Sequence, residues 1–436
     1  KAQADPPLLY EPCPYCGGFH PSAKNEPIDS MEDEINRIAE IILSGGTPAH
    51  DAGLLSGTVK QLSASMAKGY TRPIEQVKWD TPDADMIDNL TRNIYQFSAA
   101  KNWQQLHDMT SALRDGERIV SESEFFDRIN AINDKYNKNW LRTERNSAIA
   151  GAQMASRWAQ FQNDKEAIPL LTYRTVGDSN VRPTHQVLDG ITRPIDDTFW
   201  KTNYPPNGWG CRCDVEQAPG RSRPTPKNRI PNVPIPEMFK TNLAEAGLIY
   251  PKEHPYYNGV PNAEIRKAIA WLPPDNTYHR VLSDNGMPIE INVMHNKTEI
   301  PGNTSVANDL CKAGYKDIYL LPDIHAKDAH LRKRYLPDGY KQRNIAKNPD
   351  AVISDTDGNK MVCDFKIITG ERNFAHRIAQ AAEQADYAVI KLDLKQHKLG
   401  NDKIKSVVNA KMVELPDLKG VIVINRKGEV IYKAIR

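Results

Sequence analysis

The residues of this chain best suited to chemistry are Asp350, Asp364 and Lys366, and their spacing tells how they would meet. Ala351 to Ser354 and Lys360 to Lys366 are β-prone runs, and Asp357-Gly358 between them is a strong hairpin signal. A strict two-residue turn at Asp357-Gly358 would set Asp350 opposite Phe365, on the wrong face. A three-residue loop ending with Gly358 in the left-handed region sets it opposite Asp364, and this is the expected register. Residues two apart on a strand share a face, so Asp364 and Lys366 point the same way and Asp350 joins them across the hairpin. Paired carboxylates suit a hard divalent cation, Mg2+ or Zn2+, and the ammonium offsets charge growing on a phosphate in the transition state. Phosphodiester hydrolysis is the chemistry that such a set serves.

A sheet and its helices must hold that hairpin. The pattern predicts a helix from about Ser305 to Ala313, a strand at Asp317 to Leu321, the hairpin, and an amphipathic helix from about Asn373 to Ala385. Strands follow at Tyr387 to Leu394, Val421 to Asn425 and Val430 to Ala434, giving an α/β domain over residues 275–436. Pro349-Asp350 with Asp364-Phe365-Lys366 resembles the PD-(D/E)xK nuclease signature, and hairpin, helix, strand is the order that such a core would show. The Leu-Leu-Pro-Asp323 turn, the Asn348-Pro349-Asp350 start, the Asp364-Phe-Lys366 strand and the Gln384-Ala-Asp386-Tyr387 helix exit also resemble the C-terminal toxin domains of CdiA-type contact-dependent inhibition proteins. Several of those cleave tRNA or DNA. The resemblance implies catalytic roles for Asp350, Asp364, Lys366 and Gln384, a nucleic-acid substrate with tRNA favoured over DNA, and a cognate immunity protein as partner. It also implies a further acidic residue from the first helix, where this chain has Asn303; Glu299 and Asp309 are the candidates. Arg332, Lys333, Arg334, Lys341, Arg343 and Lys347, with Arg377, are expected to contact phosphate, the alternative being a solvated charge run.

Six cysteines occur, four of them in the pairs Cys13-x-x-Cys16 and Cys211-Arg-Cys213. That clustering suggests metal ligands more than a disulfide framework, in a reducing compartment. Four sulfurs from the two pairs would suit structural zinc, with residues 1–30 as a zinc-knuckle segment. His20, Asp178 and His185 are alternative ligands, and unmetallated thiols beside a hydrogen-bonded loop remain a further reading.

Residues 31–165 read as helical. Ser30 is placed as the cap of a helix striped with Ile35, Ile38 and Ile42 and stopped by Gly45-Gly46, and others are expected near Asp83 to Lys101, Glu122 to Tyr136 and Trp140 to Phe161. Character changes after residue 166. The run Tyr173 to Gly190, with Asp178, Arg182, His185 and Asp189, then Phe199-Trp200, Pro205-Pro206-Asn207-Gly208-Trp209 and Cys211-Arg212-Cys213, resembles the Mu F-like phage head morphogenesis proteins. The likeness reaches back to Arg142-Thr143-Glu144 and on to Phe239, Asn242 and His254-Pro255-Tyr256-Tyr257. It implies a small β-rich module over residues 166–262, with a proline-rich tail, in a minor head component that meets portal and capsid proteins.

At 436 residues the chain is expected to be multidomain α+β, with a boundary near Pro274. The formal net charge of +2 conceals an acidic excess before residue 275 and a basic excess after it, which suits an acidic partner for the C-terminal part. No membrane partner is expected: no apolar run is long enough to span a bilayer and no signal segment opens the chain, so a virion or host-cytoplasmic location is expected. The leading reading is a phage head protein carrying a metal-dependent nuclease toxin. The alternatives are a metal-independent ribonuclease of the barnase, EndoU and RelE-like group, using His325, His330, His376, Arg377 or Lys366, and a structural head protein whose C-terminal domain only binds DNA.

Overall fold

A computed structural model describes residues 9–12, 19–22, 31–370, 373–393 and 399–436, and these fall into two compact units. The first comprises residues 1–73 and 85–269, the second residues 74–84 and 270–436.

The first unit opens with an antiparallel hairpin of β1 (Leu9–Pro12) and β2 (Phe19–Ser22). Helix α1 (Glu32–Leu43) buries Ile35, Ile38 and Ile42, the predicted stripe, and Gly45 with φ +91° follows its end. Its N-cap residue is Met31, while Ser30 lies outside the described residues. Helix α2 (Ala52–Gly69), which the periodicity did not indicate, starts at Asp51, whose carboxylate accepts from Leu54 N at 2.9 Å. Its serines and glycines blur the apolar stripe, and Gly69 is needed because a Cβ there would lie 2.1 Å from Ile149 O. Then come α3 (Pro82–Ser111), a small hairpin of β3 (Arg114–Asp115) and β4 (Arg118–Ile119), and α4 (Glu122–Asn133), capped by Ser121. A π-helical turn, Asp134–Trp140, continues α4 into α5 (Leu141–Asp164). Strands β5 (Leu170–Arg174), β6 (Thr192–Pro194) and β7 (Asp214–Gln217) form an antiparallel sheet in the order β6-β5-β7, with short helices α6 (Pro183–Gln186) and α7 (Phe199–Asn203) between them. The helical and β-rich stretches pack as one unit: Tyr204 Oη donates to Met154 O at 2.9 Å, and Arg157 on α5 pairs with Asp214 on β7. Helix α8 (Asn262–Trp271) ends at the passage into the second unit.

The second unit is built on an eight-stranded mixed sheet in the order β15-β14-β13-β12-β11-β10-β9-β8. Strands β8 (Tyr278–Leu282) and β9 (Pro288–Asn292) form a hairpin around Asp284-Asn285-Gly286. Helix α9 (Ile300–Lys312) crosses to β10 (Lys316–Leu320), parallel to β9; β11 (Ala351–Ser354) and β12 (Lys360–Ile368) follow antiparallel. Helix α10 (Phe374–Ala382) leads to β13 (Tyr387–Leu392), parallel to β12. Helix α11 (Asn401–Glu414) precedes β14 (Gly420–Ile424), and β15 (Val430–Ile435) closes that edge. The sequence reading omits α11, a lysine-rich helix that buries only Ile404, Val408 and Met412. At the other edge, Leu282 N donates to Val77 O at 2.8 Å and Trp79 N donates to Leu282 O at 3.0 Å, a single bridge through which residues 74–84 join the second unit.

Candidate functional site

The β11–β12 hairpin has the register its loop chemistry predicts. Ala351 pairs with Cys363 and Ser354 with Lys360, which puts Asp350 across from Asp364, and Asp355 N bonds Asn359 O at 3.0 Å around Gly358 at φ +87°. Asp350 is fixed from three directions: its N–H donates to Cys363 O at 3.0 Å, its carbonyl accepts from Leu321 N at 2.8 Å, and its Oδ2 accepts from Phe365 N at 2.6 Å. Lys360, Val362, Asp364, Lys366 and Ile368 share one face of β12 by the period of two. Val362 belongs to an apolar cluster with Leu321, Ile324, Leu331 and Tyr335, and Ile368 to another with Phe374, Ile378, Ala388 and Ile390. Asp364 and Lys366 occupy the seam between these clusters.

Asp364 is 1% exposed and makes an ion pair with Lys366 Nζ through Oδ2, while its Oδ1 has no hydrogen-bond partner. Burial, and then the neighbouring Asp350 charge, push the Asp364 carboxyl well above the usual carboxylate range despite Lys366. Glu299, at the N-cap position of α9, is raised by burial and by Asp350, and feels Lys366 and Asp323 as well. Asp323, in the turn after β10, accepts from Asn348 Nδ2 at 2.9 Å. Beneath them Asn303 Nδ2 donates to His295 Nε2 at 3.1 Å, leaving Nδ1–H to donate to Leu321 O at 2.6 Å, so the loop carrying Glu299 is tied to the end of β10. Of the two acidic candidates, Glu299 therefore lies within electrostatic reach of Asp350, whereas Asp309 bonds Lys391 Nζ at 2.7 Å. In the sequence Asp323 reads as part of a turn and not as a ligand; only the convergence of the β9, β10 and β11 ends marks it.

Other expected residues are placed differently. Arg332 is 3% exposed and donates to the carbonyls of Ile324, Ile345 and Lys347, so it is an internal strut and not part of a phosphate-contacting surface. Arg334 donates to Ala270 O and Trp271 O, and Arg343 bonds Asp386 together with the carbonyls of Ala382, Ala385 and Asp417. Lys333, Lys341 and Lys347 are exposed, and Arg377 bonds Gln380 Oε1 at 2.9 Å. Gln384 closes α10 through its backbone, its carbonyl accepting from Tyr340 Oη at 3.4 Å. His325 accepts from Lys327 N and caps the same short helical segment that carries His330, which lies 6.0 Å from the Trp271 ring, whereas His376 is exposed on α10. A cleft of about 570 Å³ is lined by Tyr340, Lys341, Arg343, Lys360, Asp386 and Lys419, among others, and by none of Asp350, Asp364, Glu299 and Asp323.

A second constellation lies in the first unit. Cys211 Sγ and Cys213 Sγ stand 3.7 and 3.5 Å from His185 Nδ1, and a bond from Cys213, then one from His185, holds the Cys211 thiol well below its usual range despite burial. Asp178 is not with them: it is exposed and takes a bidentate bond from Arg212, 2.7 Å to each oxygen. Cys13, Cys16 and the side chain of His20 lie outside the described residues. Around this cluster, Trp209 packs edge-on against Phe239 at 5.2 Å and His254 at 5.4 Å, and Tyr256 Oη donates to Glu144 Oε1 at 2.9 Å. Glu144 in turn bonds the buried Lys101 Nζ at 2.5 Å.

Part of that core, with Glu144, His185, Trp209 and the two cysteines, falls in a stretch that matches a known family. The family described as Phage Mu protein F like protein matches residues 104–216, which are thus a Mu F-like region. Over 75 residues the chain is 43% identical to the putative capsid assembly protein F of Escherichia phage Mu, covering 17% of each protein. Over 76 residues it is 42% identical to the Mu-like prophage FluMu F protein of Haemophilus influenzae, covering 17% of this chain and 18% of that one. The chain thus spans less than a fifth of the length of the curated relatives it matches. No solved structure matches the chain.

Proposed function

We propose that this chain is a phage or prophage minor head protein whose second unit is a metal-dependent nuclease with toxin activity. The head-protein part rests on the Mu F-like region at residues 104–216 and on its likeness to a capsid assembly protein, and it implies capsid and portal proteins as partners in the virion. Among the described residues no helix is long and apolar enough to cross a membrane.

The nuclease part rests on one observation: Asp364 is buried at the seam of two apolar clusters, opposite Asp350, with an oxygen left unbonded. A buried carboxylate beside another carboxylate is costly unless a cation joins them, and the facing pair Asp350 and Asp364, with Glu299 in electrostatic reach of Asp350, offers only oxygen, which suits Mg2+. Bound there, such an ion would supply an activated water and polarise a phosphate. Asp350 is held rigid by the Phe365 N–H, and Lys366 stands ready to offset charge developing on the phosphate. The element order α9-β10-β11-β12-α10-β13 supports the PD-(D/E)xK-like reading. Exposed Lys333, Lys341 and Lys347 suit a nucleic-acid backbone, and a toxin of this kind requires an immunity protein.

The test is incubation of the full chain with tRNA and with plasmid, in magnesium and in excess chelator. Cleavage should need the metal and vanish in Asp364→Asn; cleavage that survives chelator sinks the reading in favour of a metal-independent ribonuclease. For the head-protein part, the chain should be recovered with purified heads, and recovery should fail when residues 104–216 are deleted.

A further inference from the structure

The sulfurs of Cys211 and Cys213 converge on a single atom, Nδ1 of His185, at 3.7 and 3.5 Å, and the three ligand atoms lie within 4.8 Å of one another. A ring nitrogen carries one hydrogen or one lone pair, so hydrogen bonding serves one thiol well and leaves the other in competition. A cation removes that conflict. In a tetrahedral zinc site, bonds of about 2.3 Å to sulfur and about 2.0 Å to nitrogen set a nitrogen-to-sulfur edge of roughly 3.5 Å, the length seen here twice. We propose that His185, Cys211 and Cys213 bind a zinc ion, with the fourth position turned to the cavity of about 250 Å³ between the two cysteines and Asn146, Ile149, Gln153 and Met154 of α5.

The ligand chemistry selects the metal: two thiolates and an imidazole favour zinc over magnesium or calcium, which take oxygen donors. The ion clamps the α6 turn to the loop entering β7, segments that the chain itself joins only through more than twenty intervening residues. Neither Asp178, engaged with Arg212, nor the carboxylates of the second unit contribute to it.

The test uses the full chain purified under reductant. Zinc content and peptide-mapped alkylation are measured with and without chelator. Expected are one equivalent of zinc lost in His185→Ala and in Cys213→Ser but kept in Asp364→Asn, and alkylation of Cys211 and Cys213 only once chelator is present. Loading with cobalt(II) should give thiolate charge-transfer bands that His185→Cys, which restores a ligand, retains. The alkylation pattern is read on the parent protein, so it decides even if a variant fails to fold. Alkylation indifferent to chelator, a Cys211–Cys213 disulfide under reductant, or zinc content unchanged in folded His185→Ala overturns the site.

Discussion

At the scale of single residues, Asp364 sets function against stability. Its folded pKa is raised, so below the unfolded carboxylate range both states are protonated and the group is neutral to folding. As pH rises the unfolded state loses its proton first, and stability falls until the folded pKa is passed. In chelator at neutral pH, Asp364→Asn should therefore melt a few degrees higher than the parent, the gap closing as pH falls towards the unfolded value of about 4, followed by calorimetry across pH. Adding magnesium should stabilise the parent and not the variant. A variant that melts lower than the parent at neutral pH would mean that the Lys366 contact outweighs desolvation. Lys366→Met should lower cleavage by at least about a hundredfold, the ~3 kcal/mol typical of one lost transition-state stabiliser, measured as single-turnover rate under saturating magnesium.

At the scale of elements, the stretch between β10 and β11 divides its charges by burial. Arg332 binds three carbonyls from inside, so Arg332→Met should destabilise the second unit by about 3 kcal/mol in urea titration, because it orphans buried acceptors. Lys333→Ala, Lys341→Ala and Lys347→Ala should leave that stability within about 0.5 kcal/mol and reduce the salt dependence of nucleic-acid binding. Equal stability loss in both sets would show that burial is not what separates them. In the first unit, α3 and α5 are pinned by the buried Lys101–Glu144 pair, with Tyr136 O and Tyr256 Oη completing the network. Lys101→Met strands a buried carboxylate and should cost about 3–5 kcal/mol, while adding Glu144→Gln, which keeps an acceptor for Tyr256, should recover much of it.

At the scale of the whole molecule, the second unit is not a simple C-terminal piece. Val77 and Trp79 hydrogen-bond Leu282 at the β8 edge, so a fragment beginning at residue 270 leaves that edge bare. The fragment should melt below the second unit of the full chain and self-associate in size-exclusion chromatography. A monomer with an unchanged melting temperature would show that residues 74–84 are dispensable.

Neighbouring residues along the chain settle only local features. The Asp357-Gly358 turn set the hairpin register and so placed Asp350 opposite Asp364, since a side-chain period of two leaves no intermediate choice. The isoleucine stripe located α1, and the spaced Tyr173-to-Cys213 motif lies inside the Mu F-like match, which at residues 104–216 begins within α3, upstream of the expected module at 166–262. Tertiary structure decided what depends on residues far apart in the chain. It chose Glu299 over Asp309 as the neighbour of Asp350, turned Arg332 and Arg343 inward, set Asp178 apart from the thiols while bringing His185 to them, and added residues 74–84 to the second unit. Spacing constrains a side chain only within its own element. Which carboxylate faces a cation, or which arginine finds a carbonyl, follows from how the elements pack, because the cost of burying a charge is fixed by the neighbours that packing supplies.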